Sequence, residues 1–143
     1  MTATRMPRLV VVDDDSELAH ELAGLFSDVG YEVTGVATEA TQGIALVART
    51  RPDVVVMDVR MDGMSGTEAA GVLGRQYPEL PVVLLSAYSD EGIQRAAQDL
   101  NVAAYLVKGC SAGELLSTVG SVIKQSQARR AQAQRGQAKK GPA

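Results

Sequence analysis

Several residue types are scarce in this chain of 143 residues, and each shortage excludes a class of protein. The single cysteine, Cys110, cannot form an internal disulfide, which favours a reducing compartment such as the cytoplasm. No apolar run approaches the ~18 residues of a transmembrane helix, and residues 1–7 lack the apolar centre of a signal peptide. Tryptophan is absent and Phe26 is the only phenylalanine. The sequence therefore predicts one cytoplasmic domain, without a membrane partner, around an aliphatic core.

Acidic residues are absent after Glu114, which divides the chain by charge. Residues 125–143 carry five basic side chains and no large apolar one, so this segment cannot bury a core. The rest of the chain has nine basic and 17 acidic residues, a charge of −8 against +5 for the tail. We predict a flexible N-terminus over 1–7, a domain over 8–124, and a basic, partly disordered tail or linker over 125–143.

The basic tail has two interpretations. It is either a solvated extension of the last helix or a linker, or it is a contact for nucleic acid or an acidic partner. Short basic tails are common and unspecific, so nucleic acid is not expected as a partner of this chain alone.

Short apolar runs alternate with segments of helical periodicity along the domain. The runs are too short for helices and rich in aliphatic residues, as buried parallel strands are; they cover 8–13, 31–36, 53–58, 82–85 and 102–107. The helical segments that follow them cover 15–29, 39–50, 67–77, 89–100 and 111–124. Five strand–helix units in series predict an α/β fold, with a parallel sheet covered by helices on both faces.

Polar side chains follow four of the five predicted strands, where packing gives no reason for them. They are Asp13 and Asp14 after the first strand, Asp58 after the third, Ser86 after the fourth and Lys108 after the fifth. Ligands of open α/β sheets bind at this edge. Crowded carboxylates repel one another, and Mg²⁺ would relieve the repulsion while leaving positions for a phosphate. Asp58 could then form an acyl phosphate, with Lys108 and Ser86 stabilising the transferred oxygens.

These motifs together resemble the response-regulator receiver family of bacterial two-component systems. The resemblance covers about 8–124 and is carried by five segments in order, 10–16, 51–58, 61–66, 82–87 and 104–108. It implies a five-stranded, doubly wound, flavodoxin-like fold with strand order 2-1-3-4-5. It also implies that a sensor histidine kinase or phosphotransfer protein phosphorylates the chain, and it allows a homodimer through the fourth helix, fifth strand and fifth helix.

The resemblance also assigns roles to individual residues. Asp58 is the phosphoacceptor, and Asp13, Asp14, Asp58 and the main-chain carbonyl of Arg60 are the Mg²⁺ ligands. Ser86 and Tyr105 form the switch pair, and Lys108 binds the phosphate. The chain would not be an enzyme with a separate substrate, since it catalyses only its own aspartyl phosphorylation and dephosphorylation.

Two positions depart from the family pattern. Asp62 stands where the family usually has proline, which adds a negative charge near the site. Gly109 stands where a cis proline often follows the lysine, and we expect a trans link because a cis bond without proline costs ~3 kcal/mol. The Lys108–Gly109 pair is similar to receivers attached to helix-turn-helix transcription factors of the nitrate-response class.

Rival functions lack their own motifs. A phosphatase of the haloacid-dehalogenase type would need an aspartate two residues after Asp58, where Arg60 stands. A nucleotide-binding module would need a glycine-rich loop after the first strand, and there is none after Asp13. An inert interaction domain would not need three carboxylates at strand ends. Two alternatives stay open: a single-domain response regulator, or the receiver part of a longer DNA-binding transcriptional regulator.

Overall fold

The computed structural model describes residues 5–87, 91–100 and 102–139. The strands are β1 (Arg8–Val12), β2 (Glu32–Ala37), β3 (Val54–Asp58), β4 (Val82–Ser86) and β5 (Ala104–Val107). The helices are α1 (Ser16–Asp28), α2 (Ala40–Thr50), α3 (Gly66–Gln76), α4 (Glu91–Asp99) and α5 (Ala112–Lys139). All neighbouring strands are parallel, in the order β2-β1-β3-β4-β5. The predicted fold class and strand order are confirmed.

The aliphatic core lies in two layers, one on each face of the sheet. Alternate strand residues point to opposite faces, so Val10 and Val55 belong to the layer with α2 and α3. Their neighbours Leu9 and Val54 belong to the layer with α1 and α5. Phe26 is fully buried in that second layer. Burial on both faces makes β1, β3 and β4 nearly continuous apolar runs, which is why the sequence revealed them.

Side-chain caps fix where α1 and α3 begin. The Asp15 carboxylate accepts a hydrogen bond from the Leu18 amide at 3.1 Å, and the Ser65 hydroxyl accepts one from the Glu68 amide at 3.1 Å. Asp15 is therefore the N-cap of α1 and Ser65 the N-cap of α3. Each cap ends the loop that leaves β1 or β3, so it also limits the path of the residues at the strand ends.

Helix α5 is longer than the apolar periodicity predicted, since it continues past Lys124 to Lys139. The added residues are mostly Ala, Gln, Arg and Lys, which are good helix formers, and cations near a helix C-terminus interact favourably with its dipole. The Ser126 hydroxyl also donates to the main-chain carbonyl of Glu79 at 3.3 Å. The domain limits and the disorder of the tail stay predictions.

Helix α4 shows a second difference. Leu100, the last residue of the helix predicted over 89–100, lies just after α4 ends and is 36% exposed. The side chains of Ile93 and Ala97 in this helix are not among those that the structure describes. Within the described ranges, no helix combines the length and apolar character that crossing a membrane requires.

Candidate functional site

Asp13 and Asp58 lie close together because β1 and β3 are adjacent and in register. Val12 pairs with Met57, so Asp13 follows β1 at the same level at which Asp58 ends β3. Asp13 and Asp58 are buried, with 1% and 4% of their surfaces exposed, whereas Asp14 is exposed. The Asp15 amide donates to Asp13 Oδ1 at 2.9 Å and orients that carboxylate. One oxygen from each of Asp13, Asp14 and Asp58 lies within 4.8 Å of the others.

The other two strands bring a hydroxyl and an amine to the same edge. Ser86 pairs with Val107, so Lys108 leaves β5 beside the end of β4. The Lys108 amide donates to the Ser86 carbonyl at 2.6 Å, and Ser86 itself is fully buried. Lys108 Nζ lies 2.9 Å from Asp13 Oδ2 and 3.1 Å from Asp58 Oδ2. One cation thus bridges the two buried carboxylates.

Burial and charge shift the proton affinity of both partners. Burial, reinforced by the charge of Asp13, raises the pKa of Asp58 to about 6, although the hydrogen bond and charge of Lys108 act in the opposite direction. Burial alone would lower the pKa of the Lys108 ammonium. The hydrogen bonds and charges of Asp13 and Asp58 outweigh it and raise that pKa, so Lys108 stays charged at neutral pH.

The donor set fits a hard divalent cation. Three carboxylates offer oxygen ligands from two adjacent strand ends, and a single ammonium cannot neutralise all of them. The raised pKa of Asp58 shows that negative charge is held there at a cost. Mg²⁺ prefers oxygen ligands and keeps positions for water or phosphate. Asp13, Asp14 and Asp58 therefore have the chemistry of a magnesium site.

Comparison with known proteins places this geometry in a family. The sequence profile of the response regulator receiver domain matches residues 9–120. The chain belongs to the response regulator receiver family. Receiver domains bind Mg²⁺ at an acidic site and interact with histidine kinases or phosphotransfer proteins, and the aspartate cluster agrees with the first property.

Individual relatives extend the comparison. The transcriptional regulatory protein PdtaR of Mycobacterium tuberculosis is 30% identical over 112 residues, which cover 78% of this chain and 54% of that protein. A protein-glutamate methylesterase/protein-glutamine glutaminase of Pyrococcus abyssi is 37% identical over 70% of this chain but only 27% of that protein. The signal receiver domain of an HD domain-containing protein from Pseudomonas fluorescens superposes with a TM-score of 0.84 at 26% identity, covering 91% of this chain and 96% of that one. The chain thus spans about half the length of PdtaR.

Gly66 is a site residue of this receiver that sequence reasoning missed. It opens α3, and its amide donates to the Val59 carbonyl at 2.7 Å. A Cβ on Gly66 would lie 2.1 Å from the carbonyl oxygen of Asp58 and 2.9 Å from the Val59 Cα. The missing side chain lets α3 start directly against the backbone that carries Asp58. In the sequence, the only indication of this close approach was a glycine immediately after Ser65, the N-cap of α3.

The structure also gives the positions of three other residues that the sequence analysis named: Tyr105, Arg60 and Gly109. Tyr105 is half-buried in β5 and packs against the core layer of α2 and α3. Arg60 is exposed in the loop after β3. Gly109 has a φ of 96°, a conformation that glycine adopts freely, and no cis peptide bond occurs in the described ranges. The expected trans link after Lys108 is therefore confirmed.

Proposed function

We propose that this receiver is a phosphorylation-dependent switch that takes a phosphoryl group from a phosphohistidine onto Asp58. The observation that carries the proposal is the position of Asp58. It is the last residue of the central β3, nearly buried, beside two more carboxylates and 3.1 Å from Lys108 Nζ. Packing gives no reason for that arrangement, because two buried carboxylates that share one ammonium cost folding free energy.

The transfer needs little from the protein except positioning and charge. A carboxylate oxygen of Asp58 attacks the phosphorus, the P–N bond to the imidazole breaks, and the imidazole leaves with its electron pair. The Lys108 ammonium already lies beside Asp58, so it can stabilise the negative charge of the phosphoryl oxygens during the transfer. Asp13, Asp14, Asp58 and the main-chain carbonyl of Arg60 would hold Mg²⁺, which when bound offsets the negative charge of the phosphoryl group.

The proposed switch pair is Ser86 and Tyr105. Ser86 is buried one strand away from Asp58 at the same edge of the sheet, so its hydroxyl can donate to a phosphoryl oxygen there. Tyr105 lies on the next strand, facing the α4 side. A shift of Ser86 towards the phosphate would leave room for the tyrosine ring to move inward.

Two outputs fit the chain. As a single-domain response regulator in the cytoplasm, it would act through contacts with a partner, including a second copy bound through α4, β5 and α5. As the receiver of a longer DNA-binding regulator, it would pass the signal to a following domain, a possibility supported by its match to about half of PdtaR. In both cases its catalysis is confined to its own aspartyl phosphate.

The test is uptake of one phosphoryl group from acetyl phosphate with Mg²⁺, measured by intact mass and by hydroxylamine lability. Asp58→Asn should abolish uptake, because the amide is not a nucleophile here. Asp62→Asn is the matched control, since it makes the same chemical change at an exposed loop position and should be labelled like wild type. Full labelling of Asp58→Asn, or no labelling of wild type at any Mg²⁺ concentration, would refute the proposal.

A further inference from the structure

Four arginines from three distant parts of the chain meet at the amino-terminal end of the sheet, opposite Asp58. Arg5 precedes β1, Arg51 follows α2, and Arg129 and Arg130 lie in the extension of α5. Arg5, Arg51 and Arg130 line a cavity of about 380 Å³. Arg129 and Arg130 line an adjoining one of about 430 Å³. The fold thus assembles an arginine cluster that no local sequence motif contains.

Only part of this positive charge is neutralised within the protein. Arg5 pairs with Asp53 at 3.2 Å, and Arg130 reaches Glu79 at 3.9 Å, near the limit of an ion pair. Among the residues that the structure describes, Arg51 and Arg129 form no ion pair. The positive charges of Arg51 and Arg129 are therefore available to bind an anion at the cluster.

The first cavity also has an apolar wall. The Arg51 guanidinium lies 5.0 Å from the centroid of the half-buried Tyr77 ring, and Pro78 and Leu80 continue the same wall. Arginine planes and aromatic rings are the groups on which unpaired bases stack. The combination of apolar wall and guanidinium rim matches a nucleotide, which has a flat base and an anionic phosphate.

The composition of α5 beyond Ser126 limits the kinds of partner that this region can bind. No acidic residue follows Glu114, and residues 127–139 contain no large apolar side chain. Without apolar anchors this segment cannot insert into a membrane surface or fill a hydrophobic groove of another protein. Arginine and glutamine instead donate hydrogen bonds to phosphates and to base edges.

We propose that the arginine cluster and residues 127–136 of α5 bind single-stranded nucleic acid. The strand's phosphates lie on Arg5, Arg51, Arg129 and Arg130, and a base occupies the cavity beside Tyr77. The sequence alone did not predict nucleic acid as a partner, because a short basic tail does not indicate one kind of ligand. The fold adds Arg5 and Arg51 to the arginines of the tail and so forms a defined cluster. The inference does not depend on phosphorylation, since the cluster lies at the opposite end of the sheet.

The test is fluorescence anisotropy with a labelled 12-nucleotide oligouridine RNA and a DNA of matching length. Each neutralised phosphate contributes about −0.7 to the slope of log K against log salt. Four contacts predict a slope of about −2.8, an affinity loss of about fifty-fold between 50 and 200 mM salt. Arg129→Gln/Arg130→Gln should halve the slope, which leaves a loss of about sevenfold. Arg51→Gln should weaken binding at all salt concentrations.

The control variant is Arg75→Gln/Arg95→Gln, which removes the same charge from exposed positions on α3 and α4 that line neither cavity. It should bind like wild type, and matching urea midpoints show that every variant is folded. No RNA or DNA binding at 50 mM salt would overturn the proposal. So would an equal loss in the control variant, or preferential binding to anionic phospholipid vesicles.

Discussion

Replacing Gly66 by alanine should damage both the stability and the phosphorylation of this receiver. The new Cβ would lie 2.1 Å from the Asp58 carbonyl oxygen, whereas ordinary carbon–oxygen contacts are above 3 Å. The obstacle is backbone, so either α3 or the end of β3 must move by about 1 Å. Overpacking of this kind typically costs 1–3 kcal/mol, and weakening the hydrogen bond from the Gly66 amide to Val59 adds about 1. We expect a loss of about 2–4 kcal/mol.

The same helix offers a matched control in Gly74→Ala. A Cβ at Gly74 meets nothing within 4 Å, so only the backbone preference changes, and alanine is better than glycine inside a helix by about 1 kcal/mol. Urea unfolding followed by circular dichroism should separate the two variants by about 3–5 kcal/mol, with opposite signs relative to wild type. Acetyl phosphate labelling should slow in Gly66→Ala alone, because only there does the Asp58 carboxylate move. If Gly66→Ala were as stable as Gly74→Ala, the close approach of α3 to Asp58 would be refuted.

Three further predictions concern the acidic site. Asp14→Ala, which removes an exposed carboxylate of the cluster, should weaken Mg²⁺ binding in a fluorescence or calorimetric titration without lowering metal-free stability; unchanged affinity would exclude Asp14 as a ligand. In the metal-free protein, the folded-state pKa of Asp58 is about 6, raised above its ordinary value, so the free energy of unfolding falls as the pH rises from about 4 to about 6 and stays lower above that pH. Asp58→Asn should therefore be more stable than wild type at pH 7.5 with EDTA, by at most about 3 kcal/mol, and the difference should vanish near pH 4; a difference independent of pH would contradict this. The resemblance to receivers predicts that the positions of Arg60 and Tyr88 flank the approach of water to the acyl phosphate; Tyr88 lies outside the described residues, and Arg60→Asn should speed decay of the phosphoprotein by up to about tenfold. Equal decay rates of wild type and Arg60→Asn would exclude shielding by Arg60.

The sequence predicted the sheet and its polar edge because both depend on local patterns. A buried parallel strand is a short apolar run, and the residue that follows it must lie at the carboxyl edge, so Asp58 and Lys108 could be placed together in advance. This reasoning could not predict that Lys108 pairs with both buried carboxylates, because that contact depends on how far its side chain reaches across the strand ends.

Features that depend on the path of the chain through space could not be predicted in the same way. The apolar periodicity of α5 ends near Ile123, but the residues that follow still have a high helix propensity. That propensity, together with the contact to Glu79, extends the helix to Lys139. The importance of Gly66 depends on how closely α3 approaches β3, which is a distance and not a pattern. The arginine cluster joins residues 5, 51 and 130, which only the closed fold brings to one cavity.

Helix α5 is continuous over 28 residues and connects the edge of the sheet that carries Lys108 with the arginine cluster. It begins at Ala112, four residues after Lys108, and extends past the arginine cluster to Lys139, about 42 Å at 1.5 Å per residue. A helix that pivots near Ser126 has arms of about 21 Å to Ala112 and about 20 Å to Lys139, so its two ends move by similar distances in opposite directions. The hydrogen bonds from Ser126 and Arg130 to the Glu79 carbonyl act as a fulcrum partway along it. A sub-ångström adjustment around Lys108 is therefore passed to the far end of the helix at about its original size.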